Sequence, residues 1–137
     1  MAAVMKQLLA AMNAHDLDAF VSCFALDYHS EQPAHPRRTF DGSDQVRENW
    51  ASVFAGVPDF AAELIVSAST DGGIEIGEWH WSGTHTDGSP FAMRGVTVMG
   101  VKDQRIAWGR LYMEVVEADG ADIAQMVRET YRPPDRD

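Results

Sequence analysis

The chain has 137 residues, a length typical of one domain, and we expect a single domain over 1–137. An apolar fraction of 45% and a charged fraction of 23% are ordinary for a globular protein and exclude wholesale disorder. Because 21 acidic residues outnumber 11 basic ones, the formal net charge of −10 disfavours nucleic acids and anionic membranes as partners. A small hydrophobic molecule or a second copy of the chain is the expected partner.

The sequence also predicts a compartment. Cys23 is the single cysteine, so an internal disulfide bond is excluded, and its place on the apolar side of a predicted helix indicates a small buried residue. No run approaches the roughly 18 apolar residues of a membrane span. The N-terminal segment MAAVMKQLLAAMNAHD lacks the basic start and the cleavage site of a signal peptide. We therefore expect a cytoplasmic protein.

The first half of the chain is predicted to be mainly helical. Apolar residues recur at helical spacing over about 2–14, and Asp16 is the expected N-cap of a second, short helix. A third helix is expected to begin near Ser43, where the segment DGSD supplies a cap and first-turn acids, and to end at Pro58. Between the second and third helices, 27–32 is a candidate short edge strand, and PAHPRR is a loop because it contains two prolines.

From residue 60 the apolar pattern changes to period two. Four strands are predicted at about 60–69, 74–85, 90–102 and 105–117, separated by the turn-forming segments TDGG, TDGSP and KDQ. A last helix is predicted at about 120–131. Helices followed by strands favour an α+β domain with helices on one face of an antiparallel sheet. Because large residues occupy both strand faces, we expect a homodimer through the face that the helices leave uncovered.

The last strand carries the most informative polar pattern. Trp108, Arg110, Tyr112 and Glu114 alternate onto one face, and the opposite face, which includes Leu111, is purely apolar. Aromatic residues with a single cation and a single anion are typical of a ligand pocket, in which a desolvated carboxylate can act as a general base. A solvated face with an Arg–Glu ion pair explains the same pattern equally well.

Other side chains are weaker candidates for the pocket. Its predicted walls are Tyr28, Trp50, Phe54, Trp79, Trp81, His85 and Trp108, although core packing explains most of them equally well. His80 and His85 have opposite parities on one strand, so we do not expect them to act together. His29 and Glu31 share a strand face close to His35, but no third ligand is suitably spaced, and no metal site is predicted.

Several segments resemble the SnoaL-like polyketide cyclase branch of the nuclear-transport-factor-2-like superfamily, which shares its cone-shaped fold with ketosteroid isomerases. They are Phe40-Asp41-Gly42, Val57-Pro58-Asp59-Phe60, Trp79 followed by Gly83-Thr84-His85, and Arg105-Ile106 leading to Tyr112 and Glu114. The resemblance covers about 3–117. It implies a curved antiparallel sheet with the N-terminal helices packed on its concave face, forming a cone-shaped α+β domain.

The resemblance also implies an activity. In the cyclases, the last long strand carries a catalytic aspartate, and Glu114 occupies its position here, with Arg110 where the family often has tryptophan. The implied function is a cofactor-independent lyase or isomerase acting on a hydrophobic, carbonyl-bearing substrate. Glu114 would move the proton, and Arg110 or Tyr112 would stabilise the enolate oxygen.

Two alternatives to this activity remain open. One is a ligand-binding or dimerisation module without chemistry, in which Arg110 and Glu114 form a structural ion pair. The other is an epoxide hydrolase, which needs a second carboxylate near Arg110, such as Glu31 or Glu78.

Overall fold

The computed structural model describes residues 1–135, in which helices pack on one face of a six-stranded sheet. The predicted α+β architecture is confirmed. The helices are α1 (Ala3–Ala14), α2 (Leu17–Ser22), α3 (Ser43–Gly56) and α4 (Ile123–Tyr131), and a short 3-10 helix spans Pro36–Arg38 within the predicted loop. The strands are β1 (Phe24–Glu31), β2 (Phe40–Asp41), β3 (Ala61–Ser69), β4 (Ile74–Thr84), β5 (Pro90–Lys102) and β6 (Arg105–Val115).

The N-terminal helices form where the apolar pattern and capping residues predict them. In α1 the buried side chains include Val4, Leu8 and Met12, which follow the helical repeat. Asp16 caps α2, because its carboxylate accepts a hydrogen bond from the backbone N–H of Ala19 at 3.1 Å. Cys23 follows α2 and is buried, which raises the pKa of its thiol to about 11.

The start of α3 differs in detail from the expected side-chain cap. Gly42 is the N-cap residue at a φ of 96°, and no side chain caps the first turn. Glycine suits this position because side-chain-bearing residues rarely adopt such a positive φ. Asp44 lies in the first turn, as expected, where a negative charge interacts favourably with the helix dipole.

The strand order is β2-β1-β6-β5-β4-β3, with antiparallel pairing from β3 to β6 and parallel pairing between β1 and β6. A strand is present where one was predicted at 27–32, but it is not an edge strand. The strand there is β1, which begins at Phe24 and pairs on both sides, and the two-residue β2 forms the edge. A parallel pairing between distant segments leaves no local signal in the sequence.

The sheet has two chemically different faces. The inner face packs against α1, α2 and α3, and it carries buried residues such as Trp79, Thr97 and Met113. The outer face carries the alternate residues of the same strands, and its polar members are His29, Glu31, Glu63, Glu78, His80, Arg94, Arg110, Tyr112 and Glu114. No helix among the described residues covers the outer face.

The C-terminal helix α4 lies apart from the rest of the fold. Its N-cap, Asp122, accepts a hydrogen bond from the backbone N–H of Gln125 at 2.9 Å. The side chains of Ile123 and Tyr131 are each 72% exposed, so α4 contributes little to the core. Within the described residues, no helix combines the length and the apolar character needed to cross a bilayer.

Candidate functional site

A cavity of about 200 Å³ lies between the inner face of the sheet and the helices α1, α2 and α3. The strands β1, β4, β5 and β6 supply its floor, and the helices supply its roof. Its lining residues are Leu8, Met12, Phe20, Phe24, Tyr28, Ser30, Gln32, Phe40, Val46, Asn49, Trp50, Val53, Trp79, Trp81, Thr97, Met99 and Leu111.

Aromatic rings form much of the wall. The Phe20 and Trp50 ring centroids are 4.3 Å apart, which joins α2 to α3. Trp50 meets Trp81 edge to face, with ring centroids 5.5 Å apart and planes at 78°. These ring contacts make a continuous apolar wall across the helix–sheet boundary.

The polar groups of the lining are neutral. No aspartate, glutamate, histidine, lysine or arginine lines the cavity among the residues that the structure describes. Tyr28 and Ser30 are buried on β1, and burial raises the pKa of the Tyr28 phenol, although a hydrogen bond with Ser30 opposes the shift. The phenol therefore stays protonated at neutral pH.

Two tryptophans on β4 differ in their hydrogen bonding. The indole Nε1–H of Trp79 donates to Thr97 Oγ1 at 2.8 Å, and both residues are buried. The indole Nε1–H of Trp81 is also buried, but it has no hydrogen-bond partner among the described residues. The two tryptophans of β4 thus contribute one satisfied and one unsatisfied N–H donor.

The structure brings four of the predicted wall residues together around the cavity: Tyr28, Trp50, Trp79 and Trp81. Phe54 lies behind the wall, with its ring centroid 5.8 Å from that of Trp50, and it stacks on His15. His85 is exposed at the end of the sheet beside Phe91, away from the cavity.

The predicted pocket face of the last strand requires a correction. Leu111 lines the cavity and Met113 is buried, so the apolar parity of β6 is the inner one. Trp108, Arg110, Tyr112 and Glu114 have the other parity and lie on the outer face. The physical reason is desolvation, because an arginine and a glutamate on the inner face would be buried without solvent. The catalytic roles predicted for Glu114, Arg110 and Tyr112 stay untested predictions.

These residues find partners on the outer face. His35 Nε2 lies 2.7 Å from Glu114 Oε1, which joins the loop after β1 to the end of β6. Arg110 stacks on Trp108, with its Cζ atom 4.6 Å from the ring centroid, rather than pairing with Glu114. Glu31 is the register partner of Arg110 on β1, and its carboxylate contacts His29.

A further polar group lies at the β1–β2 edge. His29 Nδ1 is 2.7 Å from Asp41 Oδ1, and His29 Nε2 is 2.9 Å from Glu31 Oε1. Hydrogen bonds with these two carboxylates raise the pKa of His29, and the bond with Glu31 has the larger effect. No group of three or more potential metal ligands occurs among residues 1–135.

The sequence interpretation missed several cavity residues, among them Ser30, Thr97 and Leu111. Thr97 could be found from the hairpin pairing, since Gly95 lies opposite Trp79 and Thr97 is the next inward residue of β5. Ser30 gives no such signal, because its position depends on the parallel pairing of β1 with β6.

The fold and the sequence together identify the class of protein. The chain belongs to the family of SnoaL-like domains, which matches residues 5–108, within the nuclear-transport-factor-2-like superfamily. The resemblance inferred from the sequence is thereby confirmed. Among curated proteins, none matches the chain.

Solved structures with the same fold are distant in sequence. A Catenulispora acidiphila protein with a ketosteroid isomerase-like fold, in complex with trimethylamine, has 19% identity and a TM-score of 0.69, with 80% of this chain and 84% of that chain covered. A provisionally described isomerase from Bacillus subtilis has 17% identity and a TM-score of 0.71, with 81% of this chain and 84% of that chain covered. A provisionally described polyketide cyclase from Sinorhizobium meliloti has 22% identity and a TM-score of 0.65, with 81% of this chain and 94% of that chain covered.

Proposed function

We propose that this SnoaL-like domain binds a small, neutral and mainly apolar molecule in the cavity between the sheet and the helices. The observation that carries the proposal is the composition of the lining, in which aromatic and aliphatic side chains surround a few neutral polar groups. Binding sites for small molecules generally have this character. A charged ligand would lose its hydration shell in such a cavity and meet no opposite charge among the described lining residues.

The cavity volume limits the size of the ligand. At about 200 Å³ the cavity is smaller than the roughly 300–1,000 Å³ that encloses drug-sized molecules. An apolar cavity of about 150 Å³ is large enough for benzene. A molecule with one ring therefore fits the available space, and no cofactor is part of the proposal.

Calorimetric titration tests this proposal with a matched pair of probes. Cyclohexanone and methylenecyclohexane have the same six-membered ring. In methylenecyclohexane, an exocyclic CH₂ group replaces the carbonyl oxygen of cyclohexanone. We expect at least one of them to bind with a negative heat-capacity change, because apolar surface leaves water. Absence of binding by both probes up to their solubility limits would contradict the proposal.

A second candidate function is the acid/base catalysis that the family resemblance implies. It is favoured by the isomerase and polyketide cyclase descriptions of two proteins with this fold. Glu114 would be the acid/base, with Arg110 and Tyr112 beside the developing charge, on a carbonyl-bearing substrate. In the structure Glu114 bonds to His35 on the outer face, so its carboxylate would have to leave that partner to act.

Hydrogen–deuterium exchange at the α-carbon of cyclohexanone measures that chemistry directly. Catalysis predicts that Glu114→Gln abolishes enzyme-dependent exchange, whereas the outer-face control Glu63→Gln retains it. If wild-type protein gives no exchange above buffer, or if Glu114→Gln exchanges at the wild-type rate, Glu114 is not the base for this reaction.

We also propose that the outer face pairs with a second copy of the chain. The outer face carries a row of acidic and basic residues across the strands, in which Glu63 and Glu114 flank the neighbouring pair of His80 and Arg94, and His35 follows Glu114. A twofold rotation can set such a row against itself with opposite signs in contact. Sedimentation equilibrium would give a dimer mass for the wild type and a monomer for Arg94→Glu, and a wild-type monomer would refute this pairing.

The cytoplasm stays the proposed compartment.

A further inference from the structure

The exposed and the polar residues of the cavity lining lie at the same end of the cavity. Along β1, the lining residues change from the buried Tyr28 and Ser30 to the half-buried Gln32, which directly follows the strand. On α3, Val46 is buried, whereas Asn49, three residues later, is the only exposed residue of the described lining. The cavity therefore opens to solvent between the end of β1 and α3.

The register of the sheet places two more half-buried lining residues at this opening. Glu31 is the register partner of Arg110, so the residues that follow them, Gln32 and Leu111, are neighbours on the inner face. Phe40 on β2 lies at the same edge of the sheet. We call the opening the mouth of the cavity, and its residues are Gln32, Phe40, Asn49 and Leu111.

The opposite end of the cavity is closed and apolar. The helix α1 packs over β3, whereas α3 packs over β1, and these two strands lie on opposite sides of the sheet. Leu8 and Met12 on α1 and Trp79 on β4 line this closed end, and each is no more than 2% exposed. The indole N–H of Trp79 already donates to Thr97. The side chains of the closed end therefore offer a ligand an apolar surface.

The mouth differs because it carries side-chain amides that are in reach of solvent. Arg38 Nη1 donates a hydrogen bond to Gln32 Oε1 at 2.9 Å. A guanidinium group can only donate, so the amide oxygen is directed at Arg38, and the amide NH₂ of Gln32 has no acceptor among the described residues. Asn49 Oδ1 accepts a hydrogen bond from Gln45 Nε2 at 2.7 Å. A polar group of a ligand at the mouth can thus keep hydrogen bonds with water or with these amides.

We propose that the cavity binds amphipathic ring compounds in one orientation, with the apolar end of the ring against Leu8, Met12 and Trp79 and a carbonyl or hydroxyl group at the mouth. This inference rests on the proposed function and adds the chemical class of the ligand, with Gln32 as a specificity-determining residue. A polar group at the closed end would lose its hydration without gaining a partner, whereas at the mouth it keeps one. The cavity therefore selects rings that carry one polar group opposite an apolar substituent.

The orientation can be measured on the wild-type protein with 4-methylcyclohexanone, whose carbonyl and methyl groups are at opposite ends of the ring. Isotope-filtered nuclear Overhauser spectra report which protein protons lie close to each end of the bound ketone. We expect contacts of the ligand methyl with the methyl groups of Leu8 and Met12, and contacts of the ring protons beside the carbonyl with the side chain of Gln32. The reversed set of contacts, or equal contacts of the ligand methyl with both ends, would overturn the inference and leave the proposed binding function standing.

A pair of variants tests the role of Gln32. The probes are 4-methylcyclohexanone and 1-methyl-4-methylenecyclohexane, in which a CH₂ group replaces the carbonyl oxygen. Gln32→Leu should shift the ratio of their dissociation constants against the ketone by about fivefold, because the carbonyl loses its partner at the mouth. The matched control Gln7→Leu makes the same change at an exposed position of α1 outside the lining and should keep the wild-type ratio. An unchanged ratio in Gln32→Leu would overturn the assignment of Gln32. If neither ring compound binds to the wild type, the proposed function fails, and this inference fails with it.

Discussion

The inner and outer faces of one sheet have opposite chemistry although they are built from alternate residues of the same strands. On β6, Leu111 lines the cavity, whereas its neighbour Tyr112 is 44% exposed on the outer face. On β4, Trp79 and Trp81 face the cavity, whereas Glu78 faces outward. The Oε2 atom of Glu78 lies 3.8 Å from Nη2 of Arg94. Charged side chains are therefore concentrated on the outer face, and the aromatic-lined cavity lies against the inner face.

This difference shows how the sheet separates two roles. Burial on the inner face disfavours charged side chains, because an ionised group there would lose its hydration. The exception is Glu75, which is buried outside the cavity lining and accepts a hydrogen bond from the backbone N–H of Ala2. Exposure on the outer face permits charged residues, whose pairs contribute little stability in water. The position of a residue in the two-residue repeat thus determines whether it can contact a ligand in the cavity.

The largest effect is expected from a pair of adjacent substitutions on β6. Leu111→Trp replaces an aliphatic side chain of the cavity lining with a larger indole ring, and it should weaken binding of cyclohexanone by at least about tenfold. Tyr112→Trp puts the same ring on the outer face and should leave the affinity unchanged. Calorimetric titration measures both variants, and equal affinities would contradict the assignment of the two faces.

The next largest effect concerns how much each of the tryptophans Trp79 and Trp81 contributes to the stability of the protein. Trp79→Phe removes the hydrogen bond to Thr97 and leaves a buried hydroxyl without its donor, whereas Trp81→Phe removes a donor that has no partner. We expect Trp79→Phe to lower the free energy of unfolding by about 1 kcal/mol more than Trp81→Phe does. Urea denaturation measures the difference, and a larger loss in Trp81→Phe would show that its N–H is satisfied in the free protein.

A smaller effect is expected on the outer face. Arg110→Met keeps the aliphatic stem but removes the charge that stacks on Trp108. The free energy of unfolding should fall by no more than about 1 kcal/mol, and cyclohexanone affinity should not change. A several-fold loss of affinity in this variant would place Arg110 in the binding site and favour the catalytic alternative.

The smallest effect is a pH dependence at the β1–β2 edge. Because Glu31 and Asp41 raise the pKa of His29, the folded protein holds this proton more tightly than the unfolded chain does. The resulting stabilisation is complete below the unfolded-state pKa of about 6.5 and is lost as pH rises through the higher folded-state pKa. Thermal melts of wild type and His29→Gln should therefore converge as the solution becomes more alkaline. A gap that widens with rising pH would contradict the sign of this shift.

The sequence was sufficient to predict most of the fold but only part of the cavity. Helical and two-residue periodicities predicted the helices and β3 to β6, because both patterns are local. The aromatic walls at Trp50, Trp79 and Trp81 were also predicted. The contribution of β1 was not, because its parallel pairing with β6 is non-local.

The parity of β6 shows why the candidate site was predicted on the other face. Aromatic and charged residues at Trp108, Arg110 and Glu114 have the composition of a pocket, and alternation alone cannot tell which face the helices cover. The purely apolar parity was the better indicator of the covered face, because burying an ionised group is costly.

The most direct test of the account uses the indole N–H signals of the four tryptophans in a ¹H–¹⁵N NMR titration with cyclohexanone. Trp50, Trp79 and Trp81 line the cavity, whereas Trp108 lies on the outer face. The account predicts that the signals of the cavity tryptophans shift and that the Trp108 signal does not move. A shift of Trp108 with the three cavity signals unchanged would place the binding site on the outer face and contradict the account.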